Sequence, residues 1–149
     1  MKVIFLDHQG VMYLKKHPNP GSLKRFDKST IEVLNSILQT DPEIEIVISS
    51  DWKYWVPLEE MSTFYRDQGI KPPIAYTDKT IKYENPYEKC RATEIKNWLL
   101  ANKVEKWVAV DDLDMRPYLQ NFTWIDKPEQ GLLQEGKKEK ILEFLNNGQ

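Results

Sequence analysis

The ten residues from Lys2 to Val11 constrain the fold more than any other stretch of the chain. Val3, Ile4, Phe5 and Leu6 are apolar without alternation, the pattern of a strand buried on both faces of a parallel sheet. Asp7 follows at once, and Gly10 then allows a sharp turn away. Open parallel sheets bind ligands at the carboxyl ends of their strands, so an acid there faces a prospective site. Asp7 is a candidate nucleophile.

The remainder of the chain supplies partners for such a strand. Pro18, Pro20 and Gly21 mark a loop. Ser29-Thr30-Ile31-Glu32 has capping-box spacing, and Ile31, Leu34, Ile37 and Leu38 recur on one face, which predicts a helix over about residues 30–39. Residues 44–50 read as a second strand ending in Ser49 and Ser50, and residues 57–69 as a helix with Pro57 in its first turn and Gly69 closing it. A weak strand is expected at 74–76. The next helix has Asn85 as cap, Pro86 at the first helical position, and a buried stripe of Ile95, Trp98 and Leu99. Residues 107–110 form a further strand with Asp111 and Asp112 at its end, followed by a last strand at 122–125, a turn at Gly131 and a closing helix over 137–145. Strands alternating with helices indicate an α/β fold, a three-layer doubly wound parallel sheet, over one domain spanning residues 1–149.

A chain of 149 residues can bury a core without a disulfide or metal staple, and its single cysteine, Cys90, reads as a packing residue. That cysteine usage and the absence of a long apolar run predict a soluble, cytoplasmic protein with no membrane partner. The formal net charge of −2 gives no bulk attraction to polyanions, so any such contact is local, with Lys15, Lys16, Lys24, Arg25 and Lys28 as candidates.

Right-handed crossovers bring Asp7, Ser49, Ser50, Asp111 and Asp112 to one sheet edge. Asp111 and Asp112 alone would read as turn caps. Facing Asp7, they form an acidic pair that is unfavourable without a cation, and oxygen-only ligands suit Mg2+. Hydroxyls such as Ser49, with an ammonium or guanidinium from Lys89 or Arg91, would hold phosphate oxygens. The edge therefore reads as a metal-assisted phosphate site.

At these residues the chain resembles the haloacid dehalogenase-like (HAD) phosphohydrolases. Val3 to Val11 is similar to their first motif, an apolar strand followed by Asp-x-Asp-Gly; Ile46 to Ser50 to their second; and Val108 to Asp112 to their fourth. The third motif, a Lys or Arg, is placed at Lys89 and then at Arg91. The resemblance implies a HAD core with Rossmann-like topology, attack by Asp7 on a phosphoryl group to give an aspartyl-phosphate, and Mg2+ held by Asp7, the main-chain carbonyl of Gln9 and Asp111, with Asp112 assisting. Ser-Ser-x-Trp at Ser49 to Trp52, the run Arg91 to Leu99 and the run Asp126 to Leu132 also look like the capless HAD domain of RNA-repair proteins.

The chain departs from the family at Gln9, where phosphatases carry a second aspartate that protonates the leaving group and then activates water. A carboxamide does not exchange protons near neutral pH, and such acid/base help is worth ~10²–10⁴-fold. His8 is a weaker substitute, because neighbours on a strand point apart. The segments 12–40 and 52–84 are too short for a large cap domain, so the resemblance implies an open site suited to a phosphorylated nucleic-acid end or nucleotide. Trp52, Tyr54 and Trp55 then either stack a base or pack beneath the loop. Two functions compete: a Mg2+-dependent phosphohydrolase with Gln9 in place of the general acid/base, and a catalytically impaired module that binds phosphate or nucleic acid. A phosphoacceptor receiver domain fits poorly, since its acids would pair directly after the first strand.

Overall fold

The computed structural model describes residues 1–14, 23–79 and 82–146. Five strands, β1 (Lys2–Leu6), β2 (Ile44–Ile48), β3 (Ala75–Tyr76), β4 (Lys106–Asp111) and β5 (Phe122–Trp124), form one parallel sheet in the order β3-β2-β1-β4-β5. The helices are α1 (Lys28–Leu38), α2 (Leu58–Asp67), α3 (Tyr87–Ala101) and α4 (Lys137–Asn146), with 3-10 turns at Asp51–Tyr54 and Gly131–Leu133.

Alternation along the strands sorts the core onto two faces. Ile4, Leu6, Ile44, Ile46, Ile48, Val108 and Val110 pack with Leu34 of α1, Met61 and Tyr65 of α2, and Ile141 and Leu145 of α4. Val3, Phe5, Val47, Ala109 and Phe122 point the other way, against Ala92 and Ile95 of α3 and against Met115 and Leu119. The result is a three-layer α/β sandwich with Rossmann-like topology and, among the described residues, no cap domain. Sheet order reverses between β1 and β4, because the crossover through α3 carries the chain from one edge past β2 and β1. That switch point is where an open sheet leaves a crevice.

Several helix starts differ from those read in the sequence. α1 begins at Lys28 with Asp27 as N-cap. The Asp27 carboxylate accepts from the Leu14 amide at 2.7 Å, and the buried Thr30 hydroxyl donates to the carbonyls of Met12 and Asp27. Asp27 and Thr30 thus fasten α1 to the segment behind β1. Pro57 and Pro86 are themselves the N-caps of α2 and α3, so both helices begin one residue later than expected and Asn85 is not the cap. On α3 the buried residues are Arg91, Ala92, Glu94 and Ile95, while Trp98 and Leu99 are only partly covered. The expected loop at Pro18, Pro20 and Gly21, and Lys15 and Lys16, lie outside the described residues; Lys24, Arg25 and Lys28 are exposed.

Candidate active site at the carboxyl edge of the sheet

Register alone assembles the site. Leu6 is level with Ile48 of β2 and with Val110 of β4, so the next residues, Asp7, Ser49 and Asp111, form a row across three adjacent strands. The Asp7 amide donates to the Val110 carbonyl at 3.2 Å and the Ser49 amide to the Leu6 carbonyl at 2.9 Å, which carries the ladder one step past the strands. Parity puts this row on the α3 side, two residues beyond Phe5, Val47 and Ala109.

α3 answers with Arg91. Its Nη1 donates to both oxygens of Asp111 at 3.2 and 2.9 Å and stands 3.5 Å from Asp7 Oδ1. Its Nη2 reaches Asp51 Oδ1 at 3.1 Å, in the 3-10 turn directly after Ser50. Asp7, Asp111 and Asp112 each offer an oxygen, and these lie within 4.8 Å of one another. Burial, then the charge of Asp111, pushes Asp7 well above the usual carboxylate range despite Arg91; the same two causes push Asp112 up to about 6. One guanidinium therefore pairs with three carboxylates, Asp7, Asp51 and Asp111, and Asp112 stands beside them, a negative excess that a divalent cation would relieve.

The close approach of Asp112 depends on Gly10. Its φ is +75°, and a Cβ there would lie 2.6 Å from Asp112 Oδ2 and 2.9 Å from Pro128 Cβ. Ser49 Oγ is buried and has no hydrogen-bond partner among the described residues. A buried hydroxyl level with Asp7 is a donor awaiting an oxygen ligand. The carboxylate set, the glycine cradle and this orphan hydroxyl fit a hard cation with a bound phosphate.

Lys89, Trp52 and Ser50 are placed away from the roles expected of them. Lys89 is exposed on the first turn of α3, whereas Arg91 is the cation brought to the acids. Trp52 is 1 % exposed and stacks on Tyr13 within the core, so it offers no face to a substrate. Ser50 Oγ caps the 3-10 turn, accepting from the Trp52 amide. Gln9 is half-buried and bridges to Tyr13. His8 points to the opposite face, where Nε2 meets the Tyr65 hydroxyl at 2.7 Å; burial holds its pKa down to about 3, so it is neutral and turned away from Asp7.

Beside the site lies a network that the sequence reading missed. Lys53 Nζ pairs with Glu94 Oε1 at 2.8 Å, both side chains 1 % exposed, and donates to Thr77 Oγ1 and the Asp78 carbonyl. Two contacts thus clamp the 3-10 turn to α3, Asp51 to Arg91 and Lys53 to Glu94. The only available signal was charge at positions 91 and 94, among the apolar positions 92 and 95 of the same helix.

The model of the HAD domain in Swiss Army Knife RNA repair proteins matches residues 3–144. No curated protein and no solved structure matches the chain.

Proposed function

On the premise that the chain belongs to the family of HAD domains in Swiss Army Knife RNA repair proteins, we propose that it is a Mg2+-dependent phosphohydrolase acting through an aspartyl-phosphate on a phosphorylated nucleic-acid end or nucleotide. The observation that carries this reading is Asp7, set in one register row with Ser49 and Asp111 and held 3.5 Å from the Arg91 guanidinium. Asp7, Asp111, Asp112 and the Gln9 carbonyl would hold the ion, which supplies charge neutralisation of phosphate oxygens.

The chain's own groups perform the rest. A carboxylate oxygen of Asp7 attacks phosphorus while the bond to the leaving oxygen breaks, and that oxygen departs with the electron pair. Ser49 Oγ donates to one phosphoryl oxygen, and Arg91, already fixed by Asp111 and Asp51, stabilises charge on another. Water then attacks phosphorus, breaks its bond to Asp7 and releases phosphate. Gln9 orients water without taking its proton, so the second step is slow and good leaving groups are favoured.

Gln9 also favours a second reading, a module that recognises a terminal phosphate without efficient turnover. Hydrolysis of an activated aryl phosphate with Mg2+, by the wild type, Gln9→Asp and Asp7→Asn, separates the two. For the enzyme, the wild type is active, Gln9→Asp is faster by up to ~10²–10⁴-fold on poor leaving groups, and Asp7→Asn is inactive. Activity in Gln9→Asp alone identifies the binding module, and silence in all three refutes the phosphohydrolase.

A further inference from the structure

Glu94 sits one helical turn beyond Arg91, so whatever gathers around it borders the phosphate site. The buried Glu94 carboxylate accepts from the Tyr83 hydroxyl at 2.5 Å and lies 3.4 Å from the Tyr54 hydroxyl. Glu94 thus anchors both rings by their hydroxyls, and Lys53 Nζ lies over one face of Tyr54, 5.4 Å from the ring centre. The Trp55 ring stands 6.3 Å from that of Tyr54, and the Tyr87 ring 5.7 Å from that of Tyr83. Tyr54, Trp55 and Tyr87 are 42, 53 and 55 % exposed; among the described residues these are the exposed large aromatics, and all three belong to this one group.

Topology places the group at the mouth of the site. α3 runs back across the sheet, so its first two turns, carrying Tyr87 and Arg91, lie over the carboxyl edge where Asp7 and Ser49 end their strands. Tyr54 closes the 3-10 turn that Asp51 opens, and Asp51 holds Arg91. Lys82 and Lys89, both exposed, flank Tyr83 and Tyr87 in the chain and supply cations for further phosphates. Tyr54 and Tyr83, anchored by Glu94, lose little entropy on binding and back Trp55 and Tyr87, and every base offers a π face.

We propose that Tyr54, Trp55, Tyr83 and Tyr87 form a stacking platform for the unpaired terminal base of a single-stranded nucleic acid whose end phosphate enters beside Asp7 and Arg91. The placement of that phosphate rests on the reading given under Proposed function.

The test is fluorescence anisotropy on the full chain with Mg2+, using a single-stranded RNA oligonucleotide phosphorylated at one end and dye-labelled at the other, against the same strand with an abasic nucleotide at the phosphorylated end. Both 5′- and 3′-phosphorylated strands are used. The expected result is ~5–150-fold tighter binding of the strand that keeps its base, lost in Trp55→Ala and Tyr87→Ala and retained in Trp55→Phe and Tyr87→Phe. Equal affinity for the two strands, or undiminished preference in both alanine variants, overturns the proposal. If an alanine variant fails to fold, the abasic comparison on the wild type and the phenylalanine variants still decide. Hydrolysis of acetyl phosphate, which has no ring, is measured in parallel. Hydrolysis without base preference sinks the platform alone, and base preference without hydrolysis sinks the phosphohydrolase alone.

Discussion

Removing Lys53 tests whether the clamp between the 3-10 turn and α3 is as strong as its geometry implies. Lys53 and Glu94 meet at 2.8 Å with both side chains 1 % exposed. Burial pulls the Lys53 pKa down, and the hydrogen bond and charge of Glu94 hold it up. Lys53→Met keeps the aliphatic stem and strands a buried carboxylate that two tyrosine hydroxyls serve only partly. Breaking a buried pair from one side costs ~3–5 kcal/mol. A chain of this length holds on the order of 7–20 kcal/mol in all, so Tm should fall by ~6–20 °C. Glu94→Gln, which keeps an acceptor for Tyr83, should be destabilising too. In Lys53→Met/Glu94→Gln no charge is left stranded, so the double variant should cost ~2–3 kcal/mol less than the two singles summed. Urea and thermal denaturation of the four proteins give the cycle. Additivity within ~0.5 kcal/mol, or a Lys53→Met loss below ~1 kcal/mol, would refute the reasoning.

Burial of neutral His8 predicts acid sensitivity. Its pKa is about 3 when folded against 6.5 for an ordinary histidine, so the unfolded chain binds the extra proton and stability is lost as pH falls below 6.5. The loss is ~2.7 kcal/mol at about pH 4.5, read as the difference from His8→Gln in urea titrations; a constant difference between pH 7 and 4.5 argues against it. Gly10→Ala should lose ~1–3 kcal/mol from backbone strain and weaken Mg2+ binding by displacing Asp112, seen by melting and calorimetric titration; unchanged Mg2+ affinity counts against the cradle. Arg91→Lys cannot span Asp111 and Asp51 together and should reduce kcat/KM on an aryl phosphate by roughly 10²-fold, and equal activity removes Arg91 from the site.

The parallel sheet was legible because β1 and β4 carry four consecutive apolar residues and β2 three, Ile46 to Ile48 after Glu45, and each run ends abruptly in polar residues. β3 was faint because only Ala75 and Tyr76 pair with β2. Strand ends also made Asp7, Ser49, Asp111 and Asp112 legible, since register on a parallel sheet brings equivalent ends together. Helical phase was not legible. Positions 89 and 91 are about 200° apart around a helix, and α3 buries Arg91 and Glu94 beside Ala92 and Ile95, so apolar spacing could not say which cation faces the sheet. Trp52 was ambiguous for the same reason: nothing in Asp51-Trp52-Lys53-Tyr54 shows that a 3-10 turn sends Trp52 into the core and leaves Tyr54 outside.

Direct detection of the covalent intermediate tests the central claim most closely. With Gln9 unable to act as a base, hydrolysis of the aspartyl-phosphate should lag behind its formation, so it should accumulate. The chain is mixed with Mg2+ and an activated phosphate, quenched in acid and mapped by mass spectrometry. Phosphate on Asp7, absent from Asp7→Asn and short-lived in Gln9→Asp, is the predicted result. Turnover with no phosphate on Asp7 in any of the three proteins, or phosphate carried by another residue, would contradict the account.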